Sequence, residues 1–172
     1  MAWSAPKTWV SPEVLSDTKL NQYLRDNQLY LISTAEDSYV LDGGTDYLTT
    51  STTFADVDGI NLSFVLTPEA MGTLLVGFHG VVSHNTANGR IYFDITVNGV
   101  VQGGQSGIVQ DRRAAIAERG AVNFTRMLSV TPGVEYTINL QWRTSVGTAT
   151  LYNGDAAVAA DDVEGQFWVK EI

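Results

Sequence analysis

The sequence predicts a mainly β protein: an antiparallel β-sandwich of the jelly-roll kind, preceded by an N-terminal arm and one α-helix. Three observations predict it. After residue 37, apolar side chains repeatedly occupy every second position, which is the period of a half-buried strand. Turn-forming residue pairs separate these segments. Helical segments do not alternate with the strands, so a parallel α/β arrangement has no support.

The first 15 residues are predicted to form an extended or irregular arm. Pro6 and Pro12 fix φ and disfavour helix in the residue before each of them. Trp3 and Trp9 have little local core to enter, so each either folds back onto its own chain or docks on another molecule.

Residues 16–33 are predicted to form the one helix, with Ser16 as its N-cap and Asp17 in the first turn. Along this helix, a narrow stripe is formed by Leu20, Leu24, Asn27 and Leu31. A narrow stripe is more typical of a contact between helices than of the broad face with which a helix packs on a core. In such a contact a buried polar residue would fix register and oligomeric state. The alternative is a helix packed on its own sheet with Asn27 exposed. The residues assigned to attachment and oligomerisation are Trp3, Trp9, Leu20, Tyr23, Leu24, Asn27 and Leu31.

We therefore divide the chain into an arm and helix, residues 1–37, and a β-sandwich domain, residues 38–172. Asn98-Gly99 predicts a two-residue type I′ hairpin, and Pro132-Gly133 a type II turn. Residues 111–120 are interpreted as a solvated loop, with a short helix as the alternative. The clearest predicted strands are residues 60–66, 91–97, 136–143, 148–152 and 167–172.

Composition restricts the classes of function. The 172 residues contain no Cys, and 10 Lys+Arg against 19 Asp+Glu give a net charge of −9. Such a chain repels nucleic acid and anionic membranes, and no apolar stretch approaches the length of a membrane span. We expect neither nucleic-acid binding nor membrane insertion.

No catalytic constellation is apparent, and we expect no catalytic residue, metal or cofactor. His79 and His84 should face opposite sides of a strand as surface or rim residues, too far apart to chelate together. The glycine-rich stretch 103–107 is interpreted as a flexible loop. The carboxylates of Asp161 and Asp162 are interpreted as solvated loop charge, with a Ca²⁺ site as the alternative.

A candidate ligand or partner face is assigned to Tyr92, Trp168, Arg112 and Arg113. The two aromatic residues fall out of phase with the apolar face of their strands. They face a subunit or ligand, or else lie on the covered second face of an inner strand. The two arginines belong to the most basic patch of an acidic chain.

Two stretches resemble structural proteins of tailed bacteriophages. The first is Thr8-Trp9-Val10 followed by Leu20-Asn21 and Leu24-Arg25-Asp26-Asn27; the second comprises residues 136–143, 147–151 and 166–172. The chain departs from that pattern at Ser16-Asp17-Thr18-Lys19, where such proteins often carry Ala and a further Thr before Leu-Asn.

The resemblance implies a non-enzymatic virion component, made in the host cytoplasm, with an N-terminal attachment segment and a β-rich, often trimeric outer domain. Its implied partners are itself, as a homotrimer, other virion proteins and a host cell-surface glycan. We expect a tail fibre or tail-tip component with a host-adhesion role. The alternatives are a head decoration or fibre protein, and a carbohydrate-binding module.

Overall fold

The computed structural model describes residues 16, 18, 35–41, 43–69, 72–154 and 164–172. The predicted arm, and the predicted helix apart from Ser16 and Thr18, lie outside these residues, as do Asp161 and Asp162. The division at residue 37 therefore stays a prediction. Within the described residues, no helix is long and apolar enough to cross a bilayer.

The described part of the chain folds into two six-stranded sheets in which every paired neighbour is antiparallel. The strands are β1 (Glu36–Leu41), β2 (Tyr47–Thr49), β3 (Ala55–Asp56), β4 (Ser63–Leu66), β5 (Thr73–His84), β6 (Arg90–Val97), β7 (Val100–Val101), β8 (Val109–Arg112), β9 (Gly120–Ser129), β10 (Tyr136–Thr144), β11 (Ala149–Leu151) and β12 (Gly165–Glu171).

The strand order is that of a jelly roll. In the first sheet β1, β12, β5 and β9 are successive neighbours, and β11 and β2 extend it alongside β5. In the second sheet β4, β10, β6 and β8 are successive neighbours, while β3 also pairs with β10 and β7 with β6. The eight strands β1, β4, β5, β6, β8, β9, β10 and β12 thus form two facing four-stranded sets, with most chain connections crossing from one sheet to the other. The predicted fold class is confirmed.

The core lies between the sheets and consists mostly of Leu, Ile and Val side chains, with aromatic rings that join the two sheets. Phe64 of β4 stacks on Phe167 of β12 with ring centroids 4.8 Å apart, so one pair joins the two sheets. A second cross-sheet pair is Phe78 and Phe93, at 5.0 Å, and the latter also contacts Trp142 at 6.0 Å. Such pairs contribute about 0.5–1.5 kcal/mol each beyond the area they bury.

The predicted strands and turns are found with boundaries within two residues of the predicted ones, except at the start of β4. Strand β4 begins at Ser63 rather than at residue 60, because Asp58 holds the preceding residues in a turn. Its Oδ1 accepts the N–H groups of Ile60 at 2.8 Å and Asn61 at 3.1 Å. Asn98 and Gly99 have φ values of 49° and 77°, as a type I′ turn requires. Gly133, at φ 78°, occupies the type II position.

Residues 111–120 contain no helix. Asp111 and Arg112 end β8, and Gly120 begins β9. Between them the Glu118 carboxylate accepts the N–H groups of Ala114 and Ala115, each at 3.1 Å. The helix-forming residues are therefore held in a loop by a local side-chain contact.

Candidate ligand-binding site

The outer surface of the second sheet carries a row of two aromatic residues with an arginine between them. Arg143 of β10 is the cross-strand partner of Tyr92 on β6. On the other side, Ala55 pairs with Trp142, which places the preceding residue, Phe54, opposite Arg143. Side chains of such a row project from the same face of the sheet, so strand register alone brings these three together.

The guanidinium of Arg143 is fixed by both aromatic neighbours and by a backbone carbonyl. Its carbon lies 3.8 Å from the centroid of the Tyr92 ring and 5.2 Å from that of Phe54. Its Nη2 donates to the Gln105 carbonyl at 2.6 Å. Among the described residues, Arg143 forms no ion pair with a carboxylate. The result is an oriented cation with donors left for another acceptor.

The loop of residues 102–108 packs on the same surface and is anchored by Asp94. The Oδ1 of this fully buried carboxylate accepts the N–H groups of Ile95 at 2.7 Å and Gly103 at 2.8 Å. Within the described part of the chain, its Oδ2 has no hydrogen-bond partner. Burial raises the pKa of Asp94, and the bonds from Gly103 and Ile95 only partly offset that effect.

The glycine-rich stretch forms a loop, as predicted, and Asp94 anchors it at Gly103. Its flexibility stays a prediction. A Cβ on Gly103 would lie 2.6 Å from the Ile108 nitrogen, and one on Gly107, at φ 70°, would overlap the Phe93 carbonyl oxygen. These two positions require glycine because backbone passes close to backbone.

The 102–108 loop and the segment before β3 border a shallow pocket of about 530 Å³ that is open to solvent. Arg143 lines it together with backbone and side chains of both segments. We call this the Arg143 pocket; its other lining residues are Thr52, Thr53, Phe54, Val101, Gly103, Gly104 and Gln105. It presents one cation, hydroxyl groups, backbone polar groups and an aromatic ring to a single space.

A polar ladder continues from the pocket along the outer face of β10. Gln141 donates through Nε2 to Oδ1 of Asp56 at 2.8 Å. Further along, Ser63 donates to Oδ1 of Asn139 at 2.7 Å. These side chains satisfy one another, so Arg143 differs from them in having donors to spare.

The structure places the four residues of the predicted ligand or partner face at separate sites. Tyr92 is buried, because Arg143 lies across its ring. Trp168 lies on the outer surface of the first sheet. Arg112 is exposed on β8 and donates to Asn88 at 2.7 Å, whereas Arg113 forms a two-point contact with Asp111, at 2.6 and 2.9 Å. Their participation in binding stays a prediction.

The outer surface of the first sheet carries a few apolar side chains among polar ones such as the Glu36–Lys170 ion pair. The Trp168 ring lies directly over Gly77, which leaves no room there for a Cβ. Leu75 and Met127 are cross-strand partners on the same surface, and Val40 and Met127 are 38% and 63% exposed. We call Val40, Leu75, Met127 and Trp168 the apolar face.

The two histidines do face opposite sides of β5, as predicted. His79 is exposed on the outer surface. His84 is fully buried in the sandwich, so its assignment as a surface or rim residue is wrong. Its Nδ1 accepts the Thr86 N–H at 2.9 Å, so the neutral ring carries its proton on Nε2, 2.7 Å from Thr144 Oγ1. Burial lowers the pKa of His84. In the part of the chain that the structure describes, no group of His, Asp or Glu has the arrangement of a metal site.

Sequence reasoning did not single out Arg143, Phe54 or the Asp94 anchor. The period-2 pattern placed Arg143 on the outer face of a strand but could not identify its neighbours on other strands. A usable signal was the Tyr92-x-Asp94 pair in β6, since it puts an aromatic ring and a carboxylate on the nominally polar face.

No model of a known protein family matches this chain, and no curated protein matches it. Among solved structures, the chain is similar to the Eiger TNF of S. frugiperda, with 10% identity, 80% of this chain and 92% of that chain covered, and a TM-score of 0.44. Murine APRIL gives 12% identity, coverage of 79% and 99%, and a TM-score of 0.39. A structure of infectious bursal disease virus, Gx strain, gives 12% identity, with 81% of this chain and 37% of that chain covered, and a TM-score of 0.38. At these values the similarities carry no argument about function.

Proposed function

We propose that this chain is a non-enzymatic structural component of a bacteriophage virion, a trimeric tail fibre or tail-tip protein with a role in adhesion to the host surface. Residues 1–33 attach and group the subunits, and the jelly roll projects from the particle. It is made in the host cytoplasm and contacts itself and other virion proteins. The resemblance of residues 136–143, 147–151 and 166–172 to virion proteins supports this origin.

The apolar face is the observation that carries the proposal. Exposed apolar side chains that lie beside one another on the outer surface of a sheet are suited to contact with another protein. Trp168 and Met127 supply the side-chain types that interfaces favour. We infer that this surface contacts other copies of the chain, and that three copies multiply the weak contacts made by each N-terminal segment.

A deletion of residues 1–33 tests the attachment role. During infection by the phage that encodes this chain, full-length and truncated proteins are supplied in trans and purified particles are probed for each. We expect only the full-length protein in the particles. Gly59→Ala serves as the control because a Cβ there makes only an ordinary contact, 3.8 Å from Asp56 Oδ2. Incorporation of the truncated protein at the full-length level would contradict the attachment role, and absence of both proteins would contradict the virion assignment.

The alternative sites on the particle are distinguished by labelled antibody. Label at the tail supports the fibre or tip proposal, whereas label spread over the head supports a decoration protein. The third candidate, a carbohydrate-binding module, is favoured by one specific observation, the Arg143 pocket.

A further inference from the structure

We infer that the Arg143 pocket binds a carboxylate-bearing sugar residue. The inference deepens the proposed adhesion role, on which it rests for its biological setting. The ligand requirement itself follows from the chemistry of the pocket.

The first step is the cation. A guanidinium is planar and pairs with carboxylates through two parallel N–H groups, so its orientation matters. The Arg143 guanidinium lies 3.8 Å from the Tyr92 ring centroid and donates one hydrogen bond to Gln105, which leaves its other N–H groups available. Little conformational entropy remains to be lost when an anion binds it, because its neighbours already order it.

The second step is the rest of the lining. Thr52 and Thr53 supply hydroxyl groups, and Gly103 and Gly104 supply accessible backbone. The Phe54 ring supplies an apolar surface beside the cation. A sugar acid matches all three, since it has a carboxylate, several hydroxyl groups and an apolar ring face. A simple carboxylate such as acetate would contact only Arg143.

The third step is the shape of the site. The 102–108 loop is fastened to the buried Asp94, and Gly103 and Gly107 admit it close to the sheet. The wall of the pocket is therefore built in before a ligand arrives. A volume of about 530 Å³ falls within the range of small-molecule sites and accommodates one or two sugar rings.

The test is a titration of the full 172-residue chain, ¹⁵N-labelled and followed by NMR. The probes are methyl β-D-glucuronide, the methyl glycoside of N-acetylneuraminic acid, methyl β-D-glucoside and sodium acetate. We expect at least one acidic sugar to shift the amide signals of residues 103–105 and the Arg143 Nε–H signal. The neutral glucoside and acetate should bind at least about tenfold more weakly. The two acidic sugars distinguish a uronic from a sialic acid source.

Variants locate the site. Arg143→Gln should weaken binding at least about tenfold, and Arg143→Lys should bind less than wild type because it lacks the planar fork. Lys170→Gln, at an exposed cation of β12 on the outer surface of the other sheet, carries the same charge change and should bind as wild type does. Dispersed spectra confirm that each variant is folded.

Failure of both acidic sugars to bind would overturn the inference, as would equal binding of acetate or glucoside, or unchanged binding by Arg143→Gln. None of these results affects the particle-incorporation experiment. Conversely, a chain absent from particles that still binds an acidic sugar through Arg143 would contradict the virion proposal and leave the pocket assignment standing.

Discussion

Arg143 lies across the ring of Tyr92, its cross-strand partner, with its guanidinium carbon 3.8 Å from the ring centroid. This contact explains how an outward-pointing tyrosine on β6 comes to be buried. It also orients the cation at the edge of the Arg143 pocket. One residue pair thereby joins the packing of the sheet to the surface on which we place ligand binding.

The buried Asp94 predicts a pH effect on stability. Because burial raises the pKa of this carboxyl in the folded state, its contribution to stability is fully present below its unfolded pKa, near 3.8, and is lost as pH rises through the folded pKa. Urea unfolding of wild type and Asp94→Asn from pH 4 to 7 measures it. We expect the stability difference to shift in favour of the variant as pH rises, by at most about 1.4 kcal/mol per pH unit. A difference that is constant over this range would contradict the assignment.

The buried His84 predicts the opposite dependence of stability on pH. Burial lowers its folded pKa, so its contribution to stability is present above its unfolded pKa, near 6.5, and is lost as pH falls through the folded value. Between pH 8 and 5 the wild type should lose more stability than His84→Gln, although the variant starts lower because it loses the contact with Thr144. His79→Gln is the control, since His79 is exposed on the same strand. Equal pH dependence in wild type and His84→Gln would show that His84 does not titrate on unfolding.

The Trp168 ring over Gly77 predicts a coupled pair of mutations. Gly77→Ala should cost about 1–3 kcal/mol, because the new methyl group overlaps the indole ring. In a Trp168→Ala background the same change should cost much less, and a double-mutant cycle measures the coupling. Gly104→Ala provides the matched glycine substitution in open space. Additive effects would mean that the ring does not occupy this position.

The sequence predicted the sheet architecture well because β4, β10, β11 and β12 each expose one face more than the other, so that apolar and polar residues alternate along them. Strand β6 also alternates in sequence, although both of its faces are covered. The turns at Asn98-Gly99 and Pro132-Gly133 could also be predicted, because few residue types adopt the positive φ values that these turns require. Strand β5 was harder to delimit because Gly77 and Gly80 interrupt its pattern and nearly all of it is covered. In the 111–120 segment, local contacts such as those of Glu118 outweigh the helix propensity of the residues.

The candidate site was largely beyond sequence reasoning. Phe54, Tyr92 and Arg143 come from three strands or their flanks, and only the register of β10 brings them together. The anchor from Asp94 to Gly103 likewise depends on the loop folding back across β6. Hydrophobic periodicity and composition describe one strand at a time, whereas this site is formed by side chains of several neighbouring strands.

The measurement that tests the account most directly is the mass of the full-length chain in solution, by native mass spectrometry or light scattering. Self-association through the N-terminal segment and the apolar face predicts a species of three times 18.7 kDa, and Met127→Glu in that face should reduce it. A wild-type species of 18.7 kDa at micromolar concentration would contradict it.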